Sequence, residues 1–158
     1  MTTSVLPELL ALERILEQGA SHLQVRTLRR IAMPAGPDLP VYAISLGSAQ
    51  PDVPAVGFFG GVHGLELIGA QVVIAYLQNV VNRLRWDRLL HQQLEQVRLV
   101  FMPLINPGGM QLATRANPQG VDLMRNAPID ADDKVPFLIG GQRYSDRLPW
   151  FRGVADAP

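Results

Sequence analysis

The chain has 158 residues, 47% of them hydrophobic and 18% charged, an ordinary composition for a single globular domain with one core. Fourteen basic and fourteen acidic side chains cancel, so no net positive field exists to hold a nucleic-acid backbone or an anionic membrane surface, and neither is an expected partner. The absence of cysteine excludes disulfides and thiolate-ligated zinc, leaving His, Asp and Glu to hold any metal.

In chain order, the first stretch, MTTSVLPELLALERILEQ, has no basic n-region and carries Glu8, Glu13 and Glu17 where a signal peptide needs an unbroken apolar run; a cytoplasmic protein is expected. Leu6, Leu9, Leu10, Leu12, Ile15 and Leu16 recur at near-helical spacing and predict an amphipathic helix ending near Gly19. Residues 23–33 and 41–46 hold β-favouring runs separated by Pro34, Gly36, Pro37 and Pro40, which predicts a hairpin. Residues 53–62, VPAVGFFGGV, form a continuous apolar run closed by glycines, the pattern of a central strand covered on both faces. Helices are predicted over 65–85 and 86–96, and a further buried strand over 97–105. Strand, helix and strand make a βαβ unit with parallel, neighbouring strands. The most apolar segment, 67–81, is interrupted by Gln71, Gln78 and Asn79 and is too polar to span a bilayer. The expected fold is an α/β domain with a mixed, largely parallel sheet flanked by helices.

Ligands of open α/β sheets gather at the carboxyl ends of strands, and GGVHGLE places His63 and Glu66 where the 53–62 strand gives way to its helix. Glycines 60, 61 and 64 allow a tight turn there, and a separation of three residues brings imidazole and carboxylate to a common point across a first helical turn. Zinc accepts both donor types, and a catalytic zinc ordinarily takes three protein ligands and a water. A second signature, NPGGMQLATRANPQGVDLMRN over 106–126, starts where the 97–105 strand ends and so falls on the same sheet edge.

GGVHGLE, a strand, NPxG, Arg-x-Asn and GVDLxRN in this order resemble the zinc carboxypeptidases related to carboxypeptidase A, over roughly residues 54–126. The resemblance implies a zinc cofactor with His63 and Glu66 as its first two ligands. It implies that Arg115 polarises the scissile carbonyl and stabilises its oxyanion, and that Arg125, beside Asn126, pairs with the terminal carboxylate of a substrate, a role suited to a planar guanidinium. The expected substrates are peptides or acylated amino acids, and the reaction would be attack of zinc-polarised water on an amide carbonyl.

The chain departs from that pattern at Met124, where the family carries an asparagine that donates to the substrate carboxylate, and at Leu65, in a region where the digestive enzymes carry an arginine between the two ligands. The family's third ligand, a histidine, and its general-base glutamate come well downstream of GVDxxRN, yet no His or Glu follows Asn126. Asp130, Asp132, Asp133, Asp146 and Asp156 offer carboxylates without a spacing that selects one. His91 and Glu95 read as a solvated i, i+4 helix pair and His22 as a surface residue. Residues 127–158 lack an apolar repeat, so 1–158 is expected to be one incomplete catalytic domain: helix and hairpin in 1–52, a βαβ core in 53–126 and a loop-rich tail, truncated before the later strands. Three functions follow: the N-terminal part of a metallocarboxypeptidase inactive by itself, a deacylase of the same fold, or a binding module that lost its site. Self-association through an unfinished sheet is expected of each.

Overall fold

A computed structural model describes residues 6–126, 147 and 151–153. Helix α1 (Pro7–Gln18) begins with proline at its first position, where the missing N–H costs no hydrogen bond, and buries Leu9, Leu12 and Ile15 at helical spacing. Strands β1 (Gln24–Ile31) and β2 (Leu39–Gly47) form the predicted antiparallel hairpin, with a bulge between Thr27 and Arg29. Strand β3 (Ala55–Phe59) leads into helix α2 (Leu67–Arg83), whose stripe Ala70, Val73, Ile74, Leu77, Val80 and Val81 faces the core. Helix α3 (Arg88–Leu94) is capped by Asp87, whose carboxylate accepts from the Leu90 amide at 3.0 Å. Strand β4 (Arg98–Met102), a short helix α4 (Pro107–Gln111) and a 3₁₀ turn at Leu123–Arg125 follow.

The strands lie in the order β1-β2-β4-β3. β3 and β4 are parallel neighbours, as a βαβ unit requires, while β1–β2 and β2–β4 are antiparallel. The sheet is therefore mixed, as expected, and among the described residues one of its three pairings, β3–β4, is parallel. A correction concerns β3, expected as a central strand covered on both faces. It lies at the end of the described sheet, and Phe59 is 59% exposed. An unbroken apolar run shows that neither face carries charge; which strands flank it is decided by long-range pairing. β4 occupies the inner position, with Leu99 and Phe101 buried on one face and Val100 half-buried on the other.

The core lies between the sheet and α1 and α2. Phe101 is fully buried, stacked at 5.0 Å on Phe58 and tilted against Tyr76, with Ile44, Leu46, Leu12 and Leu77 in the same cluster. Among the described residues no helix is long and apolar enough to cross a membrane. Residues 127–146, which contain Asp130, Asp132, Asp133 and Asp146 of the tail, lie outside the described residues, as does Asp156.

Candidate metal centre

The parallel pairing of β3 with β4 extends beyond the strands and brings the two sequence signatures together. The Gly60 amide donates to the Met102 carbonyl at 3.0 Å, the Ile105 amide to Gly60 at 3.0 Å and the Asn106 amide to Gly61 at 2.8 Å. Gly61 adopts a left-handed φ of +65°, accessible to glycine without Cβ strain. Gly64 lies so close to the Gly109 backbone that any side chain would collide with it. Asn106 ties the loops further: its Oδ1 accepts from the Gly109 amide at 2.8 Å, capping α4, and its Nδ2 donates to the Val62 carbonyl at 3.2 Å.

These constraints fix the turn that presents His63 and Glu66. The pair sits before α2 rather than on its first helical turn: the Glu66 amide donates to the His63 carbonyl at 3.0 Å, and Glu66 precedes the first helical residue. The expected convergence is nevertheless present, with His63 Nδ1 3.0 Å from Glu66 Oε1. Arg115 joins them, its Nη1 3.3 Å from Glu66 Oε1 and its Nε donating to Asp122 Oδ2 at 2.9 Å. Arg125 is placed near the same carboxylate, with its Nε 3.4 Å from Asp122 Oδ2. Asn126 is not drawn into the cluster; its Nδ2 donates to the Arg152 carbonyl at 2.7 Å. Met124 is 62% exposed.

Asp122, to which no role was assigned from sequence, holds the cluster together. It is fully buried, and it and Asn106 are the buried polar side chains of the described residues. Its amide donates to the Phe151 carbonyl at 2.7 Å, beside the Val121–Phe151 bridge, and its Oδ1 accepts from the Met124 amide at 3.1 Å. Burial alone would raise its pKa, but the Arg115 hydrogen bond and charge, with smaller contributions from His63 and the Met124 amide, outweigh this and hold the carboxyl below its ordinary range. The signals available in sequence were an aspartate just before the 123–125 turn and an asparagine just before Pro107, both N-cap patterns.

The two ring nitrogens of His63 face two carboxylates: Nδ1 faces Glu66, and Nε2, buried and without a hydrogen bond, lies 3.4 Å from Asp122 Oδ1. A neutral imidazole has a single N–H and must turn a lone pair toward one of them. With the N–H directed at Asp122, a cation between Nδ1 and Glu66 removes that conflict. The donor set of imidazole nitrogen and carboxylate oxygen suits zinc, and an Asp–His contact behind a ligating ring is the usual support of such a ligand. The residues present thus fit two of the three protein positions of a catalytic zinc; among the described residues no group of three or more His, Asp or Glu side chains converges on one point.

Comparison with known proteins identifies the family to which this fold belongs. A family profile described as zinc carboxypeptidase matches residues 28–144. Carboxypeptidase SOL1 of Arabidopsis thaliana is 30% identical over 101 residues, covering 62% of this chain and 20% of that protein. Carboxypeptidase E of Caenorhabditis elegans is 28% identical over 130 residues, covering 73% of this chain and 27% of that protein. A metallo-carboxypeptidase from Burkholderia cenocepacia shares the fold with a TM-score of 0.60 at 18% identity, over 74% of this chain and 31% of that one. The chain spans less than a third of the length of each. With the profile covering most of its residues, the chain belongs to the zinc carboxypeptidase family.

Proposed function

We propose that this chain supplies the N-terminal half-site of a zinc-dependent amide hydrolase of the metallocarboxypeptidase type, with His63 and Glu66 as metal ligands. The observation that carries this reading is the 3.0 Å approach of His63 Nδ1 to Glu66 Oε1 at the joined carboxyl ends of β3 and β4. A zinc ion bound there supplies Lewis-acid polarisation of a carbonyl and lowers the pKa of bound water. Asp122 orients the His63 ring from behind. Arg115, whose Nη1 approaches Glu66, presents N–H donors beside the ligand pair, where they can stabilise negative charge developing on a carbonyl oxygen. Arg125 and Asn126 are the candidates for binding the anionic end of a peptide.

Residues 1–158 are expected to bind zinc weakly and to show no measurable peptide turnover, because no histidine or glutamate follows Asn126 to serve as third ligand or general base. Metal analysis after dialysis against zinc chloride tests the ligand assignment: His63→Ala and Glu66→Ala must each empty a site that the unaltered chain fills. Metal-dependent peptide hydrolysis by 1–158 would overturn the expectation of inactivity. Met124 favours a second substrate class, acylated amino acids, since its thioether cannot donate the hydrogen bond an asparagine gives to a peptide carboxylate. Comparing a C-terminal dipeptide with an N-acyl amino acid as substrates of a longer chain that carries the later residues separates the two. Self-association also belongs to this reading: β3 pairs only with β4 among the described residues, and exposed Ile68 and Val72 of α2 extend the apolar surface. Sedimentation velocity over a concentration series tests it.

A further inference from the structure

The remaining two of the chain's three histidines meet on another part of the surface. His22, in the turn between α1 and β1, and His91, on α3, have ring centroids 5.7 Å apart and planes inclined at 59°. Both are exposed, and together with Glu95, one helical turn beyond His91, they border a cavity of about 490 Å³. His91 is anchored: its Nε2 lies 2.9 Å from the Leu84 carbonyl oxygen. A carbonyl only accepts, so Nε2 carries the proton and Nδ1 retains its lone pair. Metal-bound imidazoles adopt this arrangement, in which the second N–H bonds to a backbone carbonyl and fixes both tautomer and ring orientation.

We propose that His22 and His91, with the charge of Glu95 beside them, form a second, surface site for a borderline divalent transition metal of the zinc, nickel and copper class. Two imidazoles bound at ~2 Å to one tetrahedral ion keep their ring centres roughly 5 Å apart. The observed 5.7 Å is close to that separation, and the inclined planes leave room that a face-to-face stack would close. Because no three ligating side chains converge among the described residues, the site is a two-nitrogen one completed by solvent. Nitrogen donors select these metals over magnesium and calcium, which prefer oxygen. Arg98, which borders an adjoining cavity with His22, is bonded to the Ser48 and Gln50 carbonyls at 2.8 and 2.7 Å.

The site predicts that zinc uptake by this chain has two components, only one of which belongs to His63. Zinc chloride titrated into the ¹⁵N-labelled chain should move the ring nitrogen resonances of His22 and His91 together in one step, separately from those of His63. His22→Gln and His91→Gln should each weaken that step roughly tenfold or more, since losing a ligand costs at least as much as losing its supporting hydrogen bond. His63→Ala should leave it unchanged, and magnesium chloride should produce no such step. A step in which one ring moves alone, survival of the step in either glutamine variant, or its loss in His63→Ala overturns the proposal. The unaltered chain reports the result directly, so it does not depend on the variants folding, and failure of the His63 assignment is visible separately in the His63 resonances.

Discussion

Asp122 Oδ1 lies 3.4 Å from His63 Nε2, so a carboxylate buried after β4 backs a histidine presented after β3. Asp122→Asn preserves shape and an acceptor for the Met124 amide but removes the charge against His63, Arg115 and Arg125. Zinc affinity at His63 should fall by roughly 10–100-fold, the usual effect of losing a carboxylate behind a ligating imidazole. Stability should fall by about 2 kcal/mol, less than for a fully buried pair because both arginines retain partial solvent contact. A zinc titration and urea unfolding of the same variant check both.

Two glycines near the site should respond in opposite directions. Gly64→Ala drives a methyl group into the Gly109 backbone and should cost about 2 kcal/mol or more while displacing the His63–Glu66 turn. Gly69, within α2, has open space where a Cβ would stand, so Gly69→Ala should stabilise the chain by roughly 0.5 kcal/mol through improved helix propensity. Thermal melts of the pair, with zinc binding measured alongside, distinguish a steric requirement at residue 64 from general glycine flexibility.

The Asp87 carboxyl is held below its ordinary value of 3.8, first by the Leu90 amide and then by Arg83. A depressed folded pKa contributes stability that is fully present above the ordinary value and is lost as pH falls through the folded one. Asp87→Asn keeps a good cap for α3 but cannot titrate, so its acid unfolding curve should be shallower below about pH 4 than that of the unaltered chain. At pH 7 it should lose less stability than Asp87→Ala, which lacks the cap as well. Circular dichroism across a pH series supplies the test.

Phe101 carries the aromatic contacts that join β4 to β3 and α2, at 5.0 Å from Phe58 and 5.7 Å from Tyr76. Phe101→Leu keeps the site apolar but loses both ring contacts and leaves unfilled volume. A loss of about 1–2 kcal/mol is expected, seen as a lower urea midpoint at unchanged slope.

Much of this was legible along the chain. The α1 stripe, the hairpin around Pro34 to Pro40, the apolar face of α2 and the strand before Asn106 all follow from periods of two or 3.6 residues and from turn chemistry, which act between near neighbours in sequence. The approach of His63 to Glu66 was legible for the same reason, since three residues and flanking glycines suffice to bring the two side chains together. The tertiary structure alone decided that β3 stands at the end of the described sheet, that the His63–Glu66 turn precedes α2, that Asp122 is buried behind His63, and that His22 meets His91. Each depends on which distant segments pair and on what their packing excludes from water, and local periodicity carries no record of either.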